Sequence, residues 1–372
     1  MRAAPRFGID GRWLTSGPPS GARYVRQVVA ALAARPDATD LMVFARAGAR
    51  EAAGIDRQLK IRTVPTMPSA LFNTVGIPLA TPSSVEAILY QNFTPQVSRA
   101  ASVTVIHDLI FMRDPTQFTR AEQLYLGLIP RLLPRARVVA AVSEHVREQI
   151  LERWPKRDPS SVVVAPNAVD DRLLREAAAG PRDADIEVRA RYGVRSPYIL
   201  YLGRINSRKN LARLVRAFAQ SGLAEHRLVL AGAASGRIED LLAVADASGV
   251  SHRVDMVGSI DDRDLGPLYR GADAFAYVSL DEGFGVPPLE AMAFGVPVVC
   301  SDIMALRETA TGGGAIFVPP LDEIAIAAGL AKAAGDEDHR ARARSQGPSH
   351  ARSFSWIATA QVLRDALEMA CR

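Results

Sequence analysis

Two cysteines, Cys300 and Cys371, are all that 372 residues contain. With no Cys or His grouping at metal-ligand spacing, neither a disulfide scaffold nor a structural zinc site is supported. No run of about 18 apolar residues occurs, which removes a membrane-spanning helix. The N-terminal stretch MRAAPRFGIDGRWL lacks the long apolar core of a secretory signal. The expectation is a reduced, cytoplasmic protein without a metal site. Three familiar signatures are also missing. No G-x-G-x-x-G follows a strand, since GFGVPP carries proline where the third glycine belongs, and neither G-x-x-x-x-G-K-[ST] nor G-x-S-x-G appears. The DAD at 183–185 is a weak match to a metal-binding acidic pair in a charged, linker-like stretch.

What is present is globular: 48% hydrophobic and 23% charged residues, in a chain long enough for two domain cores. The net charge of +5 is unevenly spread. Up to Ala178 there are 23 Lys/Arg against 16 Asp/Glu, and the remainder is slightly acidic. RLLPRAR, with Arg131, Arg135 and Arg137, is part of that excess. It reads either as a face for an anionic partner, such as an anionic membrane surface, or as an incidental basic surface.

Apolar, β-branched runs alternate with helical patterns. Candidate strands are RFGID (6–10), LMVFA (41–45), EAILY (86–90), SVTVIHD (102–108), RVVAAVS (137–143) and SVVVAP (161–166). A second series is PYILYLG (197–203), RLVLAG (227–232), RVDMVG (253–258), AFAYVS (274–279), VPVVCS (296–301) and AIFVP (315–319). Alternating β and α argues for parallel sheets with helices on both faces. The stretch 175–197 is charged, holds Gly and Pro and offers no strand. The fold class is therefore α/β with two doubly wound, Rossmann-like domains, at 1–178 and 179–354. The last helical stretch, about 355–372, is expected to return to the first.

The densest cluster of unusual residues is SLDEGFGVPPLEAMAFGVPVVCSD, Ser279–Asp302. Glu282 and Glu290 lie eight positions apart, and Gly283, Gly285, Pro287 and Pro288 forbid one regular element across them. Glu282 falls on the loop after a strand, where open α/β sheets bind ligands. A short helix, PLEAMAF, beginning at Pro288 and stopping at Gly295 would place Glu290 in its first turn and offer N–H donors to an anion. Taken alone, Glu290 reads as a dipole partner worth about 0.3–1 kcal/mol, and Glu282 as a solvated loop acid. In YLGRINSRKNLARLVRAF (201–218), Arg204, Arg208 and Lys209 bracket a polar turn between strand and helix. Cations beside helix N-termini suit a diphosphate.

GRINSRKNL followed by EGFGVPPLEAMAFGVPVVCSD, with E-x(7)-E spacing, resembles the retaining glycosyltransferases of family four, which have the GT-B fold. VIHDLIF (105–111), AVSEHV (141–146) and VVAPNAVD (163–170) extend the resemblance in order along most of the chain. The resemblance implies the following roles. Glu290 holds ribose hydroxyls and Glu282 donor-sugar hydroxyls. Backbone N–H groups of Phe284, Gly285 and Val286 touch the sugar, and Leu289 the phosphate or ribose. Arg204 and Lys209, on a polar loop, neutralise the diphosphate. His107 faces the sugar across a cleft. Gly203 and Ser259 belong to the donor site, the loop after Gly258 receiving the base.

It further implies a mannosyltransferase-like enzyme of bacterial polysaccharide synthesis that uses no metal and no cofactor. The donor is a nucleoside-diphosphate sugar, GDP-mannose first and a UDP-sugar second. The acceptor is a saccharide or a lipid-linked one, with no nucleic acid involved. A GT-B epimerase, a phosphorylase and a non-catalytic nucleotide-sugar binder stand as alternatives. One departure concerns the first loop. The family's GIGRYV-like turn here reads PPSGARYVRQ, one residue shorter, with Gly21 as its single glycine. That puts close approach to a phosphate in question.

Overall fold

The computed structural model describes residues 6–15, 17–50, 59–234 and 238–372. It contains two parallel sheets, each in its own compact unit. Unit 1 comprises Met1–Asn167 and Ser355–Arg372, and unit 2 comprises Ala168–Phe354; the first five residues lie outside the described set.

Unit 1 holds β1 (Phe7–Asp10), β2 (Leu41–Ala45), β3 (Lys60–Thr63), β4 (Ala87–Gln91), β5 (Ala101–Ile106), β6 (Val138–Ala141) and β7 (Val162–Val164). Their order across the sheet is β3-β2-β1-β4-β5-β6-β7, all parallel. β1, β4 and β6 are buried along their whole length, which explains their apolar runs, interrupted only at the ends of β1 and β4 by Asp10 and Gln91. β3, reading KIRT, has no such run. It is an edge strand, paired on one side only and partly exposed, so nothing in its composition announces it.

Unit 2 holds β8 (Tyr198–Leu202), β9 (Arg227–Ala231), β10 (Val254–Gly258), β11 (Ala274–Tyr277), β12 (Val298–Ser301) and β13 (Ile316–Val318), in the order β10-β9-β8-β11-β12-β13. In each sheet the strand order reverses beside the first strand, between β1 and β4 and between β8 and β11. Such switch points leave a crevice at the strands' C-terminal ends because the flanking connections run to opposite sides.

The boundary between the units falls earlier in the chain than 178. Helix Asp171–Ala178 packs on helices Leu265–Gly271 and Val286–Ala293, so it belongs to unit 2. Arg270 donates to the Glu176 carbonyl at 2.9 Å, and Glu176 lies against Gly266, where a Cβ would collide with its carboxylate. The DAD stretch is held by the same network. Asp185 is buried, pairs with Arg270 and accepts from the Arg182 N–H at 3.1 Å, so it is occupied as a structural anion.

Helix Trp356–Ala370 lies in unit 1, on helix Pro19–Ala33 and strands β4 to β6. Arg364 fixes it, donating from both terminal nitrogens to Asp40 at 2.8 Å each and lying over the Phe7 ring at 4.4 Å. The hydrogen bonds to Asp40 hold its guanidinium pKa above the ordinary value. Arg364→Ala would strand Asp40 without its fork. We expect a loss of about 2–3 kcal/mol of unfolding free energy, read from denaturant midpoints, whereas Gln361→Ala, at an exposed contact, should change it by under about 0.5 kcal/mol.

Candidate active site

The unit 2 residues converge at the C-terminal end of its sheet. β8 is followed by Gly203, which sits at φ +154° with Tyr201 Oη 2.9 Å from where a Cβ would stand. Gly232, at φ +143°, lies so close that a Cβ there would come 1.9 Å from the Gly203 carbonyl oxygen. Two glycines thus let the loops after β8 and β9 touch. Beyond Gly203 the chain makes one 3-10 turn, Ser207–Lys209, capped by the Asn206 carboxamide, which accepts from the Lys209 N–H at 3.2 Å. Asn210 then takes a left-handed conformation at φ +60°, and its side chain donates to the carbonyls of Val278 at 3.0 Å and Pro320 at 2.7 Å. This fixes the start of helix Leu211–Gln220 and points Lys209 inward.

The polar loop inferred from sequence therefore divides. Arg204 is exposed, as expected. Lys209 is not: only 5% of it is accessible. Its ammonium donates to Glu282 Oε1 at 2.5 Å and to Tyr277 Oη at 2.6 Å, and lies over the Tyr277 ring at 4.6 Å. Arg208 Nη1 approaches Glu282 Oε2 at 3.0 Å and donates to the Asp281 carbonyl at 2.6 Å. Glu282 is 8% exposed. It is not the solvated loop acid of its composition but one member of a buried ionic cluster. Burial pushes its carboxyl pKa up, while Lys209 and Arg208 outweigh that and hold it at about 2. Burial also raises the Tyr277 phenol well above its ordinary value, so Tyr277 stays neutral.

Helix Val286–Ala293 begins two residues before the predicted start at Pro288. The reason is Gly285. At φ +100° it takes the cap position, in a conformation that side chains rarely adopt, with Leu306 Cδ2 2.4 Å from where its Cβ would be. Pro287 and Pro288 then fill first-turn positions that need no hydrogen-bonded N–H. Glu290 consequently lies beyond the first turn, which carries no acidic residue. It is no surface dipole partner. It is fully buried, and Tyr269 donates its phenolic proton to Oε2 at 2.6 Å. Gly295, at φ +70°, follows the helix end as expected.

The Gly-Phe-Gly loop is held from below. Thr309 Oγ1 donates to the Phe284 carbonyl at 3.1 Å, and His350 Nε2 lies 2.8 Å from the Thr309 carbonyl. Phe284 packs edge-on to Phe354 at 5.7 Å, and His350 packs edge-on to the same ring at 5.4 Å. Phe284 and Leu289 are buried and Val286 is half-buried, while Ser259 after Gly258 is exposed.

Unit 1 has its own polar cluster at its switch point. Asp10 ends β1 and Gln91 ends β4, both inaccessible to solvent. Arg12, also fully buried, donates to Asp10 Oδ2 at 2.8 Å and to the Gln91 carbonyl at 2.8 Å, and stacks over Trp13 at 4.6 Å. Gln91 Oε1 meets His107 Nε2 at 3.1 Å, and Tyr24 packs edge-on to the His107 ring at 4.7 Å. Burial, with Arg12 adding to it, lowers the His107 pKa to about 4, so the ring is neutral at pH 7. Sequence singled out His107 but not Asp10, Arg12, Gln91 or Tyr24. The signal available was GIDGRW, an apolar strand ending in a carboxylate two residues before an arginine. Gly21 is not in an open loop. It is the third residue of helix Pro19–Ala33, and the Trp13 indole fills the space of its missing Cβ, 2.7 Å from where that atom would lie. Its glycine is required by Trp13.

Residues 186–350, which span the unit 2 cluster, match the family described as Glycosyl transferases group 1. This segment is similar to group 1 glycosyl transferases. O-antigen chain mannosyltransferase B of Escherichia coli is 28% identical over 260 residues, 68% of this chain and 67% of its own length. D-inositol 3-phosphate glycosyltransferase of Xylanimonas cellulosilytica is 31% identical over 253 residues, 65% of this chain and 60% of its own length. Serotype-specific mannosyltransferase WbdA of Escherichia coli is 28% identical over 70% of this chain, which spans 32% of that longer protein. Among solved structures, Anabaena Alr3699/HepE with UDP and glucose aligns with a TM-score of 0.72 at 19% identity, over 98% of this chain and 99% of its own. WaaG, a glycosyltransferase of lipopolysaccharide biosynthesis, gives 0.68 at 14% identity, over 97% and 98%. These structures show that this segment sits in a GT-B fold, two Rossmann-like domains in one chain.

The ionic cluster yields a pH dependence. Glu282 has a folded pKa of about 2 against an ordinary value of 4.5, so its ionised form favours the folded state. That contribution is complete above pH 4.5 and is lost as pH falls through about 2. The stability difference between wild type and Glu282→Gln should therefore be constant near neutrality and shrink below pH 4.5, as measured by urea unfolding from pH 7 down to pH 3. A difference that grows on acidification would contradict the pairing.

Proposed function

We propose that the protein is a retaining glycosyltransferase that moves a hexosyl group, mannose first, from a nucleoside-diphosphate sugar to a hydroxyl of a saccharide or lipid-linked acceptor. The observation that carries this reading is the Glu282 carboxylate. It is kept ionised by Lys209 and Arg208 beside the Gly-Phe-Gly loop, inside the segment that matches group 1. A fixed anion with oriented neighbours is what a sugar hydroxyl needs as acceptor, and a buried site rewards its correct placement.

In this reading Glu282 accepts from donor-sugar hydroxyls and Glu290, oriented by Tyr269, from the ribose. The N–H groups of Phe284, Gly285 and Val286 face the sugar, and Leu289 faces the phosphate or ribose. Gly203 leaves room for the donor, and the segment at Ser259 receives the base. His107, neutral at pH 7, is assigned to the sugar and acts as a hydrogen-bonding group rather than a cation. The C1–O bond to the diphosphate breaks while the acceptor oxygen bonds C1 on the same face. The bonding pair leaves with the diphosphate, and the acceptor proton passes to a departing phosphate oxygen. Arg204 and Lys209 stabilise the charge that develops, so no metal is assigned to the step. A donor approaching Lys209 would share an ammonium already committed to Glu282. This couples sugar recognition to diphosphate binding.

Mannose is favoured because two of the relatives are named mannosyltransferases, which makes GDP-mannose the first donor to test. HepE, solved with UDP and glucose, keeps a UDP-hexose as the second. The reading places the protein in the cytoplasm. A lipid-linked acceptor would bring it to an anionic membrane surface peripherally, and among the described residues no helix is long and apolar enough to cross one.

Thermal shift with nucleoside diphosphates and their sugars tests the reading. A true donor at about 100 times its Kd adds roughly 2.7 kcal/mol of stability. Glu290→Gln should weaken binding of the bare diphosphate nucleoside, whereas Glu282→Gln should spare it and impair sugar transfer. Arg204→Ala should weaken both about tenfold or more with an unchanged melting temperature, since Arg204 is exposed. Stabilisation by no sugar nucleotide, or equal loss of nucleotide affinity in both glutamate variants, would overturn these assignments.

A further inference from the structure

The RLLPRAR basic segment has no part in the sugar-transfer reading, yet the structure gives it a definite place. Arg135 and Arg137 line a pocket of about 520 Å³ in unit 1, together with Arg99 and Arg372 from distant parts of the sequence. The remaining walls are small or polar, Ala100 to Ser102 among them, and no Asp or Glu side chain lines it. Ala101 and Ser102 begin β5, and Arg137 immediately precedes β6. The pocket therefore opens at the N-terminal ends of these strands. His107 follows the other end of β5, about 20 Å away along six residues of strand. An anion in the pocket does not reach the polar cluster around His107.

Four guanidinium groups around one pocket repel each other and are normally interleaved with carboxylates. Here Arg99, Arg137 and Arg372 make no ion pair among the described residues, and Arg135 donates only to the Arg131 carbonyl, at 2.9 Å. The carboxylates that act on Cys371, in the pocket wall, are Glu86 and Glu368, and both are taken. Arg6 holds Glu86 at 2.8 Å and Arg364 holds Glu368 at 3.1 Å. Val97, on the rim segment between Gln96 and Ser98, is 81% exposed. The pocket thus presents planar bidentate donors, no acidic side chain in its lining and an apolar edge. Guanidinium forks match tetrahedral oxyanions in geometry as well as charge.

We propose that this pocket is a second binding site, separate from the sugar-transfer residues, for a phosphate-class anion. The phosphate is either free, as an inorganic or polyphosphate ion, or the headgroup phosphate of an anionic lipid. The proposal does not depend on the glycosyltransferase reading, because none of its residues belongs to the group 1 segment.

The test uses the full chain, wild type against the double variant Arg99→Ser/Arg137→Ser, with Arg204→Ala as a control for phosphate binding in unit 2. Both substituted arginines are exposed, so the melting temperature should be unchanged; if it falls, Arg99→Lys/Arg137→Lys, which keeps the charge, replaces it and should retain most of the binding. In one arm pyrophosphate is titrated by calorimetry at low salt. In the other, phosphatidylglycerol and phosphatidylcholine vesicles are sedimented with the protein. Wild type should show a pyrophosphate-binding component, or co-sedimentation with phosphatidylglycerol alone, that Arg204→Ala keeps and the double variant loses at least tenfold. Loss in the vesicle arm identifies the lipid headgroup, and loss in the pyrophosphate arm alone identifies the free ion. A double variant equal to wild type in both arms, or a wild type that binds neither probe, overturns the proposal.

Discussion

Much of unit 2 depends on one buried ion pair, Lys209 with Glu282. Two opposite charges removed from water must satisfy each other well, because desolvation costs several kcal/mol per ion. The structure satisfies them several times over: the Tyr277 hydroxyl accepts a hydrogen bond from the ammonium, Arg208 covers the second carboxylate oxygen, and the Lys209 N–H is capped by Asn206. Each of these contacts demands a particular backbone. The left-handed Asn210, the close glycines 203 and 232 and the turn Ser207–Lys209 all serve to bring a lysine from the loop after β8 to a glutamate from the loop after β11. Those two strands are neighbours across the sheet's switch point, so the pair ties together the two edges of the crevice that the topology opens.

Unit 1 solves a similar problem with different residues. Asp10 and Arg12 lie at the end of β1, two positions apart in sequence, and share the Gln91 backbone on the adjacent strand. The pair is fully buried, and its effect is to fix Gln91, whose side chain meets His107. In both units a charged pair at the reversal point turns a generic parallel sheet into an oriented polar surface. Pairing of this kind is weak evidence for net stability and better evidence for a fixed geometry.

Strand placement was legible because parallel strands buried on both faces must be apolar throughout. Twelve of the thirteen strands among the described residues correspond to runs read from sequence. The exception, β3, is the one whose exposure frees its composition from that constraint. The ends of elements were less legible. Two prolines suggested a helix start at Pro288, but the decisive residue was Gly285, whose positive φ sets the true start and moves Glu290 out of the first turn. Burial of charge was least legible of all. Lys209 and Glu282 read as loop residues because each is polar and flanked by turn formers; only the fold brings them together across 73 positions and removes both from water. Asp10 and Arg12 escaped notice for the same reason: their partners on the neighbouring strand are the backbone N–H and carbonyl of Gln91, which have no sequence signature.

The central claim is that Lys209 and Glu282 act as one unit that both shapes the loop and handles the sugar. A double-mutant cycle tests it most directly. Unfolding free energy and sugar-nucleotide turnover are measured for wild type, Lys209→Met, Glu282→Gln and the double variant. Removing either partner leaves the other buried and uncompensated, so each single variant should lose about 3–5 kcal/mol, and the double variant should lose no more than either single one. Turnover should be abolished to the same degree in all three variants. Additive losses of stability, or a single variant that retains wild-type turnover, would contradict the account.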